Sequence, residues 1–149
     1  QRARFATRRG EPCEKAERKR NRLLNNMSEE QLGAMMDALP MELAFIDEQD
    51  NVRFWNWSRG DRRSAAWQPS QLGKPVTDCH KEQSRPAVNA VVDKLRSGKH
   101  DVIDRTVSSN GRTSRLRWFA VRNAAGEYLG TLEMVQRDDE VVGCPQGKP

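Results

Sequence analysis

Cys79 and His80 stand side by side, and thiolate and imidazole are the protein groups that hold haem iron and many other metals. Two adjacent residues do not make a metal site by themselves. Neighbouring side chains also seldom reach one ion together, so one of the pair serves as an axial ligand, and His80 is the better placed. The competing account makes Cys79 a small buried hydrophobe and His80 a hydrogen-bonded residue at a helix entry. Trp55 and Trp57 lie two residues apart and share one strand face. They can stack on a planar ligand, or fill a core or a dimer surface. Arg117 has Phe119 and Val121 on its own strand face, and holds a carboxylate if that face lines a pocket. Cys144-Pro145 falls in a polar tail rich in Gly and Pro, where chance accounts for it. His100 beside Asp101 has no nucleophile placed with it. No Gly-rich phosphate loop and no pair of histidines at helical spacing is present. The sequence therefore points away from an enzyme.

These residues must be positioned by short elements. Ser28-Glu29-Glu30-Gln31 is a capping box, followed by Leu32, Met35, Met36 and Leu39 at helical spacing, and Pro40 stops the helix. Glu42 to Ile46 reads as a strand, Asp47 to Asn51 as a polar turn, and Val52 to Trp57 as a second strand. Gly73-Lys74-Pro75 turns the chain into Val76–His80. A second amphipathic helix begins near Ser84, with Pro86 in its first turn, Val88, Val91, Val92 and Leu95 along one stripe, and Gly98 as its C′ residue. Val102 to Ser108, an Asn110-Gly111 turn and a closing hairpin from Arg115 to Arg137 follow. In that hairpin Leu116, Trp118 and Ala120 alternate with Arg117, Phe119 and Val121, and Leu132 and Met134 oppose Thr131, Glu133 and Val135. Both faces carry apolar residues, so either can line a pocket.

The chain of 149 residues has room for one domain with extensions. Its formal charge of +5 is concentrated in residues 1–22, which carry a net +6 and leave the rest at −1. Nucleic-acid binding, if present, would lie in that arm, because a nucleic-acid-binding core has a basic face of its own. Arg105, Arg112, Arg115, Arg117 and Arg122 cluster in the last strands and read as a solvated sheet face. Cys13, Cys79 and Cys144 are odd in number and widely spaced, which fits a reducing cytoplasm rather than a disulfide framework. No apolar run is long enough to span a membrane. The expected organisation is a basic arm or linker over 1–27, a domain over 28–137 and a tail over 138–149. A start at Gln1 suggests a piece of a longer protein.

The order of elements resembles the PAS domain. So do the motifs Leu39-Pro40, Ala44-Phe45-Ile46-Asp47, Asn51-Val52-Arg53-Phe54, Leu72-Gly73-Lys74, Cys79-His80, Ser97-Gly98, Arg117-Trp118-Phe119-Ala120-Val121-Arg122 and Tyr128-Leu129-Gly130-Thr131-Leu132-Glu133. They resemble in particular the PAS module that follows hemerythrin-like cation-binding domains in prokaryotic proteins. Two departures are Lys81-Glu82, where that family commonly has prolines, and the tryptophan-rich stretch 53–67. The resemblance implies an α+β fold, a five-stranded antiparallel sheet with helices on one face and an N-terminal amphipathic helix. It implies a sensor that binds a small ligand between sheet and helices and passes occupancy to an attached or partner output domain. Haem is one such ligand, with His80 or Cys79 axial and Trp55, Trp57, Phe119 or Met134 against the ring; Arg117 would meet a propionate or a small organic acid. The alternative is a ligand-free interaction module that forms a homodimer through the Met-rich stripe of the first helix.

Overall fold

The computed structural model describes residues 26–56, 69–109 and 111–137. The basic arm, Trp57, Cys13 and the tail with Cys144 lie outside them. Five strands, β1 (Glu42–Asp47), β2 (Val52–Trp55), β3 (Val102–Ser109), β4 (Arg112–Arg122) and β5 (Tyr128–Arg137), pair throughout as antiparallel neighbours in the order β2-β1-β5-β4-β3. Helix α1 (Glu29–Asp37) precedes the sheet, and α2 (Arg85–Arg96) lies between β2 and β3, after short 3₁₀ turns at Pro69–Gln71, Val76–Cys79 and Glu82–Ser84. This is the α+β architecture the sequence implies.

Local signals explain the boundaries. The Ser28 hydroxyl accepts from the Gln31 N–H at 3.1 Å while the Gln31 side chain accepts from the Ser28 N–H at 2.8 Å, closing the capping box. Pro86 sits in the first turn of α2, where a missing N–H breaks nothing, and Gly98 ends the helix at φ +73°. The closing hairpin turns at Asn123, whose side-chain oxygen accepts from the Glu127 N–H at 2.9 Å.

β2 is shorter than the sequence suggests. The strand ends at Trp55 because Asn56 turns inward and is nearly fully buried. Its side-chain oxygen accepts from the Leu43 N–H at 2.8 Å, and its amide donates to the carbonyls of Met36 and Met41 at 3.0 and 2.9 Å. One side chain thus ties the end of α1 to the first strand, satisfying buried backbone groups that would otherwise be costly.

The register assigns each side chain to a face. Ala44 pairs with Trp55 and with Glu133, Trp118 with Glu133, and Leu116 with both Val135 and Arg105. Directly opposed residues point the same way, so these form the face covered by α2. Phe45 pairs with Phe54 and Leu132, Phe119 with Leu132, and Arg117 with Met134 and Asp104, and these form the opposite face. The core sits on the α2 side, around Ala44, Ile46, Val52, Trp55 and Val76 with Val91, Val92 and Leu95 from the helix. At the centre of the sheet Gly130 adopts φ +149°, and a Cβ there would collide with the Ile46 carbonyl and with the Phe45 ring at 2.8 Å.

The C-terminal end of α2 is fastened to the loops on one side of the sheet. Arg96 pairs with Asp50 in the β1–β2 turn, and Arg122 of β4 donates to the Leu95 carbonyl at 2.6 Å. The two guanidinium groups lie 5.7 and 5.5 Å from the Tyr128 ring centre.

Candidate functional site

Between α2 and the sheet lies a cavity of about 200 Å³. The helix contributes Ala87, Val88, Val91 and Val92, preceded by Ser84, and the sheet contributes Ile46, Arg105, Leu116, Trp118 and Glu133, while Val76 and His80 close the side. Apolar walls with a few convergent polar groups are the usual composition of a small-molecule site.

Each polar group has a distinct setting. His80 presents its ring at the cavity, with Nδ1 held 2.8 Å from the Val76 carbonyl. That contact fixes the ring and leaves Nε2 as the atom free to meet a ligand. Glu133 comes from the central strand β5. Burial in apolar surroundings pushes its carboxyl above the ordinary range and Glu42 adds to this, whereas His80 and a hydrogen bond from Trp118 oppose it. Arg105 of β3 lays its guanidinium over the Trp118 ring, 5.9 Å from the centroid. Among the described residues it has no carboxylate partner.

The sheet separates the residues singled out from the sequence. His80 lines the cavity. Cys79 packs against the core cluster instead, and burial, reinforced by Asp78 and opposed by Lys74, pushes its thiol up, away from the thiolate that binds metals. Trp55 is buried in the core beside Ala44 rather than on the cavity wall. Trp57 lies outside the described residues. Arg117, Phe119 and Met134 point to the other face: Phe119 and Met134 line a second, wholly apolar groove with Met36, Leu39, Phe45 and Phe54, and Arg117 shares Asp104 with Arg115. No single cavity gathers all of them, because residues of odd and even parity on one strand cannot meet on the same side. The arginines thought to form one solvated face divide in the same way, with Arg105 on the cavity side and Arg115 and Arg117 on the other.

Glu133 is not singled out from the sequence as a site residue, Arg105 reads there as part of a solvated face, and Trp118 lies on one of the two faces left open. The signal was present in the alternation, because Glu133 falls opposite Leu132 and Met134 in a strand whose apolar content marks it as central. Among the described residues no group of three His, Cys, Asp or Glu side chains is arranged to hold a metal ion. Nor is any helix among them long and apolar enough to cross a membrane.

A five-stranded antiparallel sheet in the order β2-β1-β5-β4-β3, with a cavity under one helix, defines a small α+β domain. The sequence pattern of the PAS domain matches residues 32–137, and the chain belongs to the PAS domain family. Solved structures agree. A C-terminal domain from Streptococcus mutans is 31% identical, with a TM-score of 0.70 over 74% of this chain and 85% of that one. A PAS domain from Colwellia psychrerythraea, 14% identical, has a TM-score of 0.54 over 72% and 94% of the two chains. A sensory box sensor histidine kinase from Vibrio cholerae, 12% identical, has a TM-score of 0.53 over 83% and 97%. A search of the curated proteins finds no match.

Proposed function

We propose that this PAS domain is a cytoplasmic sensor in which a small ligand occupies the cavity beneath α2, and an attached or partner output domain reads its occupancy. The observation that carries the reading is the cavity itself, an apolar chamber of about 200 Å³ into which His80, Glu133 and Arg105 bring polar groups. A packed core has no use for three such groups around a void. The likeness to a sensor histidine kinase and the family membership support the signalling role. The ordered motifs from Leu39-Pro40 to Glu133 support a place beside a hemerythrin-like domain in a larger protein.

The ligand this geometry favours is smaller than haem. Its volume falls below the ~300–1,000 Å³ of pockets that take drug-sized molecules, and Phe119 and Met134 lie across the sheet from His80. A screen of small metabolites by thermal shift tests the reading, with Val88→Trp as the filled-cavity control. A binder should raise the melting temperature of the wild type and leave the filled variant unmoved. Equal stabilisation of both, or no binder in a broad screen, would sink it. Haem titration supplies the contrasting arm: a Soret band lost in His80→Ala would restore the haem reading.

A second reading concerns the opposite face. The groove there has a volume of about 680 Å³ and is walled by Met36 and Leu39 as well as by sheet residues, while α1 buries none of its own side chains. A second copy of the chain can cover both surfaces at once, making a homodimer. Sedimentation should show a concentration-dependent dimer weakened by Leu39→Asp; a wild-type monomer at all concentrations removes this reading.

A further inference from the structure

The polar groups of the cavity differ in sign and in place, and this narrows what the chamber accepts. Resting on the sensor reading above, we infer that the ligand is a small amino carboxylate with an apolar body, its carboxylate held by Arg105 and its ammonium group by Glu133 and His80.

The argument begins with the arginines. Arg53, Arg96, Arg115, Arg117, Arg122 and Arg137 each face a carboxylate: Asp47, Asp50, Asp104 (shared by two), Asp101 and Glu42. Arg85, Arg105 and Arg112 have no such pair among the described residues, and of these three Arg105 is the one that lines the cavity, its planar group resting on Trp118. A guanidinium steadied on an indole face is pre-organised to take a carboxylate with two parallel hydrogen bonds. Glu133 is the complement. It stands two strands away, on β5 against Arg105 on β3, and two residues out of register with it, roughly 12 Å between backbones at the usual strand spacing and rise. The side chains close that gap, since Arg105 lies over the Trp118 ring and Trp118 donates to Glu133, so the two charges converge on one region that suits an ammonium and a carboxylate borne on a single carbon.

Glu133 receives one hydrogen bond from Trp118 and has capacity for more. A ligand ammonium group would occupy it and return the carboxyl to its ionised form. His80 accepts a further N–H through Nε2 if Nδ1 donates to Val76. The remaining walls are Ile46, Val88, Val91, Val92 and Leu116, which select a branched or aromatic carbon body. At the bulk-liquid share of ~30 Å³ per water the chamber has the volume of roughly seven waters, the scale of an amino acid the size of leucine.

The test compares three probes of one shape by calorimetry and methyl NMR: L-leucine, 4-methylpentanoate, which lacks the amine, and 3-methylbutylamine, which lacks the carboxylate. Leucine should bind and shift the Val88, Val91 and Ile46 methyl signals, and each truncated probe should bind at least about tenfold more weakly, as expected for loss of a charge-assisted bond. Arg105→Gln should reduce leucine to the level of the amine, and Glu133→Gln to the level of the carboxylate. Leucine binding measured across a pH series should also release a proton over the range where the raised Glu133 carboxyl is still protonated, seen as a dependence of the heat on buffer ionisation, and Glu133→Gln should abolish it. Glu133→Gln keeps side-chain volume and Arg105→Gln keeps a polar end on a shorter stem, and melting curves verify that both fold. Equal binding of leucine and either truncated probe overturns the two-charge assignment while leaving a small-ligand sensor intact. If none of the probes moves the cavity methyls, the amino carboxylate is overturned and the sensor reading stands or falls on the metabolite screen.

Discussion

The two faces of one sheet have been given opposite chemistry. Under α2 the strands present Arg105, Trp118 and Glu133 to a partly open cavity; on the far side Phe45, Phe54, Phe119, Leu132 and Met134 make a groove without a charge in it. Apolar surface attracts in proportion to area and discriminates weakly. A few fixed polar groups in an apolar chamber contribute less area but reject a ligand that leaves them unpaired. On the proposed reading, the α2 side selects a molecule and the far side associates.

The strongest way to break this comparison is to remove the sheet that separates the faces. Gly130→Ala places a methyl group against the Ile46 carbonyl and the Phe45 ring in a backbone conformation that side chains rarely adopt. It should destabilise the domain by about 3 kcal/mol or more, read from urea denaturation. A variant of wild-type stability would show that β1 and β5 have room to part.

Glu133→Gln tests the chamber through pH. In the folded protein the Glu133 carboxyl binds its proton more tightly than in the unfolded chain. Native protein therefore holds more protons, and stability falls as pH rises from the ordinary glutamate value, about 4.5, through the raised one. Burial, Glu42, His80 and the Trp118 hydrogen bond set that window. The amide variant should melt higher than wild type above this window and near it at pH 4. Parallel melting curves for the two proteins from pH 4 to 8 would contradict the buried, proton-hungry carboxyl.

The smallest effect sharpens the contrast between two arginines. Arg117→Gln loosens a half-exposed pair with Asp104, which Arg115 still holds, and should leave both the melting temperature and ligand binding unchanged. Arg105→Gln should likewise leave the melting temperature alone but weaken the ligand. If thermal shift shows Arg117 to be the one needed for binding, the faces have been assigned the wrong way round.

Most of the frame was legible in the residues. Ser28 with Gln31, Pro86 with Gly98, and Asn123 with Gly126 each act through local geometry, and local geometry is what sequence order records. The alternation of β4 and β5 was legible too, but not which side faces α2. Leu116 and Trp118 are as apolar as Phe119 and Val121, and a strand apolar on both sides gives no polarity to orient it. Arg105 reads as solvated and Glu133 is passed over for the converse reason, since a charged residue in an alternating strand ordinarily marks the solvent side. Asn56 carried a similar ambiguity: between two tryptophans it continues a strand pattern, and only its long-range bonds to Leu43, Met36 and Met41 show it ending one.

Arg96 and Arg122 make α2 a beam clamped at one end. Its last turn is bolted to the β1–β2 turn through Asp50 and to β4 through the Leu95 carbonyl, whereas its first turn, with no side-chain cap from Ser84, rests over the chamber. Such a beam is stiffest at Leu95 and most compliant at Ala87, so amide exchange should quicken steadily toward Arg85, and a uniform rate would remove the clamp. A molecule seated under Val88 then pushes where the beam yields most, and a small volume change becomes a tilt.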